Sequence, residues 1–271
     1  MSFDLFLTQP YFQRILATAL LVAVTAAVLG VFLVLRNLSL FGDGIAHISF
    51  AGVALGFVLG ILPVGMALLS SLLGALAIQE LRRRGITKGD TAIGIIFTGS
   101  LAFGVLLLSF GTGTNLNLES YLFGNLLLVG ATDFYVVAAT AAVVLLALLL
   151  LYRPFFALTF DAQAAEVQGL PVRALETVFT LLTAAAIVIA ARIVGVLLVS
   201  SLLVVPAATA LQWARGFRQA LALAVALALA SVLLGLLLSA EVAVPSGAAI
   251  AVVSTALFAG GTLLQRVVRG A

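Results

Sequence analysis

The sequence predicts an all-α fold, a polytopic bundle of membrane helices with about nine spans, or eight if one of them is re-entrant. Three observations carry that expectation. Only 13 Lys+Arg and 10 Asp+Glu occur among 271 residues, so 8% of positions are charged while 64% are apolar. A soluble chain carries roughly a quarter charged residues and could not hide this much apolar surface in its core. The apolar residues also fall into long uncharged runs, each near the 20 or so residues that a helix needs to cross a hydrocarbon layer about 30 Å thick.

The first run, Ile15 to Leu35, is too long for the apolar part of a secretory signal and lies too close to further runs to be cleaved away, so it reads as the first span. From Ile48 to Gln79 there are 32 residues without a charge. At 1.5 Å per residue one helix of that length overshoots the membrane, so two spans are expected, with the turn at Gly60-Ile61-Leu62-Pro63. The remaining spans are expected at Thr91 to Phe110, Phe134 to Tyr152, Ala174 to Ala191, Ile193 to Trp213, Gln219 to Ser239 and Val242 to Leu264. Tyr121 to Gly130 is apolar but too short to cross and reads as a surface or re-entrant helix. The doubtful span is the glycine-containing one after Phe41; if it is re-entrant, the count drops to eight.

Orientation follows from the basic residues. With the N-terminus outside and the C-terminus cytoplasmic, the inner loops hold Arg36, Arg82, Arg83, Arg84, Lys88, Arg153, Arg173, Arg215, Arg218, Arg266 and Arg269, which is 11 of the 13. Only Arg14 and Arg192 lie outside, as the positive-inside rule requires. No stretch longer than a loop is left over, so residues 1–271 are expected to form a single integral-membrane domain. Two short matches, Gly30-Val31-Phe32-Leu33-Val34 and Gly195-Val196-Leu197-Leu198-Val199, hint at related halves, but apolar matches of this length arise easily by chance.

The composition excludes much chemistry. The net charge of +3 comes from scattered residues and marks orientation, so nucleic acid is not an expected partner. There is no Cys, hence no disulfide and no thiolate ligand, and His47 is the only histidine. A single His excludes a His-Glu-x-x-His protease, and no Gly-x-Ser-x-Gly elbow occurs. No catalytic residue and no resident cofactor is expected. A phosphate-binding Gly-x-x-x-x-Gly-Lys-Ser/Thr loop is missing too, so ATP, if it drives anything, is hydrolysed on another subunit.

Two polar constellations remain. Between the first two spans runs Arg36-Asn37-Leu38-Ser39-Leu40-Phe41-Gly42-Asp43-Gly44-Ile45-Ala46-His47. A helix beginning near Asp43 puts Asp43 and His47 one turn apart on one face. Carboxylate oxygen and imidazole nitrogen suit divalent Zn, Mn or Fe, and an ionisable pair at membrane depth is costly enough to mark function. The competing reading is local: Asp43 caps the helix and His47 bonds to a neighbour. Two ligands are too few for a tight site, and a two-fold homodimer would supply a second pair.

The other constellation is the polar interruption at about 159–173, from Phe160-Asp161-Ala162-Gln163 through Glu166 to Gly169-Leu170-Pro171-Val172-Arg173. Asp161 can cap a short helix that Gly169 and Pro171 stop. On the cytoplasmic side such a helix suits docking to an ATPase, although an ordinary capped loop fits the same residues. Gly52, Gly56 and Gly60 share a helical face and allow close packing, and Asp90 reads as an N-cap. Glu119, Asp133 and Glu241 supply carboxylates to the outer loops and could meet a docked protein.

Several of these stretches together resemble a known family. Ser39-Leu40-Phe41-Gly42-Asp43, Ala46-His47, Ala51-Gly52-Val53-Ala54-Leu55-Gly56, Gly89-Asp90-Thr91-Ala92-Ile93-Gly94-Ile95, the Glu166 to Gly169 loop, Arg192-Ile193-Val194-Gly195-Val196-Leu197-Leu198 and Pro206-Ala207-Ala208-Thr209-Ala210 occur in the order found in membrane permeases of bacterial ATP-binding cassette importers for zinc, manganese or iron. The resemblance spans nearly the whole chain. It implies a homodimeric permease in the bacterial inner membrane, working with a cytoplasmic ATPase dimer and an extracytoplasmic metal-binding delivery protein. It implies that Asp43 and His47 contact the permeating metal and that Asp161, Glu166 and Gly169 belong to the segment coupled to the ATPase. The alternatives are a permease for an iron chelate or another small ligand, and a multi-spanning membrane enzyme, which one His and ten scattered carboxylates support poorly.

Overall fold

The computed structural model describes residues 9–85, 89–110, 130–242 and 244–269, and among them it is helical with no strand. Eleven helices occur in these residues: α1 Pro10–Leu35, α2 Phe41–Leu59, α3 Pro63–Arg83, α4 Gly89–Phe110, α5 Ala131–Leu150, α6 Tyr152–Phe160, α7 Ala162–Val167, α8 Val172–Val194, α9 Val196–Trp213, α10 Phe217–Val242 and α11 Ser246–Arg269. Eight are long and apolar enough to cross a membrane. Each expected span has its helix; the one expected at Ile193 to Trp213 is α9, the shorter of the set at 18 residues. The chain is a multi-pass membrane protein. The surface or re-entrant helix expected at Tyr121 to Gly130 falls outside the described residues except for Gly130.

The expected turn between the second and third spans is built as the residues suggest. Gly60 ends α2 in the left-handed region at φ 67°, donating its N–H to Gly56 and Phe57 carbonyls, and Pro63 opens α3 where no N–H is needed. This corrects the reading of Gly52, Gly56 and Gly60 as one packing stripe. A Cβ on Gly52 would stand 2.7 Å from the Met66 carbonyl and 2.8 Å from Ala67 Cα, and one on Gly56 would stand 2.7 Å from Pro63 Cα, whereas at Gly60 it would meet nothing. Two of the three glycines pack and the third turns the chain.

The chain forms two compact units. One comprises Leu35–Asn117 and Ala142–Val188. In it α2 packs on both α3 and α4. Most of α2 is buried, whereas α3 and α4 bury few of their residues. Leu69, Leu73, Ile95, Phe103 and Leu106 point outward instead, as side chains facing lipid should. A helix screened in this way can carry polar groups that a lipid-facing helix cannot.

The other unit comprises Met1–Val34, Leu118–Ala141 and Ile189–Ala271. Here α9, α10 and α11 pack pairwise. Ala220, Ala224, Ala228 and Gly235 of α10 are buried, and a Cβ on Gly235 would come within 2.6 Å of Ile250 Cα. Small residues at four-residue spacing let helix backbones approach where lipid supplies no hydrophobic drive. The end of the bundle near Trp213 and Arg266 is tied by polar bonds: Thr262 Oγ1 donates to Gln212 Oε1 at 3.1 Å, and Gln265 Nε2 to the Gln212 carbonyl at 2.6 Å. The two short sequence matches take different roles. Gly30 lies inside α1 against the Leu203 carbonyl, while Gly195, at φ 100°, separates α8 from α9.

Candidate functional site

Helix α2 starts at Phe41, and its N-cap is Leu40, which makes no side-chain capping hydrogen bond. Asp43 is therefore the third helical residue. Its carboxylate sits in the first turn, where the exposed N–H groups favour negative charge, without acting as the cap. Asp43 is thus a first-turn residue and not the N-cap that the sequence offered. His47 follows one turn on and is 4% exposed. Its ring meets Phe97 of α4 edge to face, with centroids 4.3 Å apart and planes at 77°.

The Nδ1 atom of His47 is buried and has no hydrogen-bond partner among the described residues. Such an atom costs free energy unless something pairs with it, and imidazole nitrogen is a good ligand for first-row divalent ions. Asp43 is the charged group that acts electrostatically on this ring. No group of three or more potential metal ligands occurs among the described residues. Among the described residues the pair brings one carboxylate and one imidazole, fewer donors than such ions usually take.

Close packing holds the pair. A Cβ on Gly44, between Asp43 and His47, would approach Ile93 Cγ2 to 2.9 Å, and one on Gly104 would press on Phe50 at 2.8 Å. On the opposite side Ser70 Oγ of α3 donates to the Ile48 carbonyl at 3.2 Å. Phe97 and Ser70 were invisible to sequence reasoning, since nothing in their spacing distinguishes them from other apolar or small residues of a span, and Ile93 stood out only within a family-like stretch.

The interruption at 159–173 resolves into the end of α6, the short α7 and the start of α8. Asp161 caps α7: its Oδ1 accepts the Ala164 N–H at 2.9 Å. Gly169, at φ 82°, closes the helix, with its N–H on the Glu166 carbonyl and the Leu170 N–H on the Ala165 carbonyl. Only glycine enters that region freely. Ala165 faces inward, while Glu166, Val167 and Gln168 are exposed, Val167 at 90%. Sequence reasoning missed α6, whose Tyr152, Phe156 and Phe160 lie on one face and touch in series. Their four-residue spacing was the available signal.

Of the carboxylates expected in outer loops, Asp133 accepts the Gly130 N–H at 3.0 Å and Glu241 is exposed at the end of α10. Glu119 lies outside the described residues, as does Lys88, and nothing is described of the Asp90 side chain.

Residues 8–265 match the ABC 3 transport family. The chain is 36% identical over 257 residues to the manganese transport system membrane protein MntC of Halalkalibacterium halodurans, covering 95% of this chain and 88% of that one. It is 35% identical over 249 residues to the chelated iron transport system membrane protein YfeD of Yersinia pestis, covering 92% and 84%. Among solved structures it is similar to PsaBC from Streptococcus pneumoniae in complex with Fab, with a TM-score of 0.84, 31% identity, and 95% and 93% of the two chains covered.

Proposed function

The chain belongs to the ABC 3 transport family, and from that premise we propose that it is the membrane permease of an ATP-driven importer of divalent transition-metal ions. It is a transport subunit and not an enzyme. Manganese is the first candidate cargo, because a relative named for manganese transport is 36% identical over 95% of the chain. The observation that carries the reading is the His47 Nδ1 atom, buried and unpaired among the described residues one turn from the carboxylate of Asp43, which is not the helix's N-cap residue.

In this reading two copies of the chain face each other and bring two Asp43–His47 pairs to one ion. Oxygen and nitrogen donors of this kind take Mn, Fe or Zn, and selection among them rests on geometry and on what the delivery protein supplies. The ion enters from an extracytoplasmic metal-binding protein, which exposed Glu241 and, with part of its charge spent on Gly130, Asp133 help to receive. The N-terminus lies outside. At the cytoplasmic face, exposed Glu166 and Val167 of α7 with Gln168 just past it insert into a separate ATPase dimer, Asp161 and Gly169 fixing the ends of the inserted turn.

A chelate cargo is the second reading, drawn from the name of the Yersinia relative. A bare ion is favoured, since acid and imidazole serve a metal with open coordination positions and a fully chelated ion has none. The test is accumulation of a manganese tracer by proteoliposomes holding permease, ATPase and delivery protein. ATP-dependent accumulation that excess zinc or iron ions suppress is expected. Accumulation of an iron chelate but of no free divalent ion would overturn the reading.

A further inference from the structure

The N-terminal part of α8, past its first turn, is gripped by side chains from two other parts of its own unit. Arg36, in the linker between α1 and α2, places Nη2 3.1 Å from Glu176 Oε1, and the two side chains are only 12% and 30% exposed. The same guanidinium stands 4.9 Å from the centre of the Phe179 ring, which in turn packs edge to face on Phe155 of α6. Beside it, Gln79 Nε2 near the end of α3 donates to Thr177 Oγ1 at 3.2 Å. Burial pulls the Arg36 pKa below the ordinary arginine range, with Glu176 opposing and Arg82 adding to the effect. A surface ion pair of this length would count for little. A half-buried pair with a stacked guanidinium is different, because removing one partner strands the other's charge.

The elements on either side of this pair leave little slack. Toward the candidate metal pair, Arg36 is followed by Asn37 at φ 55°, by buried Leu38, and by a tight turn in which the Phe41 N–H bonds to the Leu38 carbonyl at 3.0 Å. The Gly44 N–H then bonds to the Leu40 carbonyl at 3.1 Å, which anchors the first turn of α2 and with it Asp43. In the other direction Glu176 lies in the second turn of α8. That helix is joined to α7 by the Leu170-to-Ala165 bond at 3.1 Å and the Leu175-to-Pro171 bond at 3.0 Å. A displacement of α7 therefore reaches Glu176 through hydrogen-bonded backbone, and reaches Asp43 from Arg36 in the same manner.

We propose that the Arg36–Glu176 pair is a positioning strut that transmits movement of the α7 segment to the Asp43–His47 helix, so that ATP hydrolysis below and ion passage above stay in step. This rests on the preceding reading, in which α7 meets the ATPase and Asp43 and His47 meet the ion. Neither Arg36 nor Glu176 touches the cargo in this scheme. Their substitution changes how many ions move per ATP and leaves the ion preference alone.

The experiment uses the complete complex in proteoliposomes, scoring manganese ions accumulated per ATP hydrolysed for the wild type, Glu176→Gln and Arg36→Lys. Glu176→Gln keeps shape and hydrogen bonding but removes the charge; Arg36→Lys keeps the charge but removes the fork and most of the stacking. We expect the ratio to fall at least about fivefold in Glu176→Gln, the lower end of usual coupling strengths, and less in Arg36→Lys, with manganese-over-zinc preference unchanged in both. A merely structural role would lower the yield of assembled complex without moving the ratio. Wild-type ions per ATP in either assembled variant would overturn the strut. Should Glu176→Gln fail to assemble, the milder Arg36→Lys decides the question alone. A wild-type complex that accumulates no ion on ATP would instead overturn the preceding reading, which keeps the two failures distinguishable.

Discussion

Asp43 and Asp161 both stand at the start of a helix after a short loop, and both can be read from sequence as N-caps. The structure separates them. Asp161 spends its carboxylate on the Ala164 N–H and closes a helix whose outer residues are exposed. Asp43 lies three residues past the cap Leu40, on a helix most of which is buried. A carboxylate satisfied by its own backbone has a local task. One held in the first turn and not at the N-cap, below a buried imidazole nitrogen with no partner among the described residues, is available to something else.

The contrast is broken most severely at the buried end. Replacing His47 by Ala, or Asp43 by Asn, should reduce ion uptake by more than the roughly 10- to 100-fold that an outer-shell change costs a metal site, with the permease still folded and still bound to its ATPase. Tracer uptake set against copurified ATPase measures both halves of that statement. Uptake at the wild-type rate in folded His47→Ala would return the pair to an ordinary structural role.

At the exposed end the expected loss is of a different kind. A double change of Glu166 and Gly169 should leave ion contacts intact yet lower uptake per ATP, because a side chain at φ 82° costs about 1–2 kcal/mol and misplaces the exposed turn. If coupling survives, the ATPase contact lies elsewhere, most plainly at the Arg82 to Arg84 stretch, where Glu80 already pairs with Arg83 and Arg84.

Smaller still is the loss of the cap itself. Asp161→Ala should destabilise α7 by about 1 kcal/mol, visible as faster hydrogen exchange at the Ala164 amide, whereas Asp43→Ala should leave the exchange of the first α2 amides nearly unchanged while stopping transport. Reversal of that pattern would mean that the two aspartates have been assigned the wrong way round.

These variants also mark how far sequence reasoning reaches. The spans are legible because lipid demands long uncharged runs, and the Gly60 to Pro63 turn because proline and glycine act locally. The Asp43–His47 spacing is legible for the same reason, being one helical turn. Whether Asp43 caps depends on a helix start two residues earlier, at Phe41, and no run of residues announces that. Helix α6 was lost because it follows α5 after the single residue Leu151, so its aromatics read as the tail of a span and a loop. The Arg36–Glu176 pair joins residues 140 positions apart; sequence counts both charges but does not bring them together.

The weakest effect is expected at the outer rim. Exposed Glu241 should tune docking of the delivery protein by less than about 1 kcal/mol, so Glu241→Gln should flatten the salt dependence of that affinity without touching ion preference. Titration at two salt concentrations reads it; equal slopes would leave this carboxylate as a solvated loop charge.

The central claim, that Asp43 and His47 of two chains together hold one permeating ion, is tested most directly by counting bound manganese on the purified permease, using the spectroscopic signal of the free ion. The account predicts one ion per two chains, lost in His47→Ala and retained in Asp161→Ala. An unchanged count in His47→Ala, or one tightly bound ion for every single chain, would contradict it.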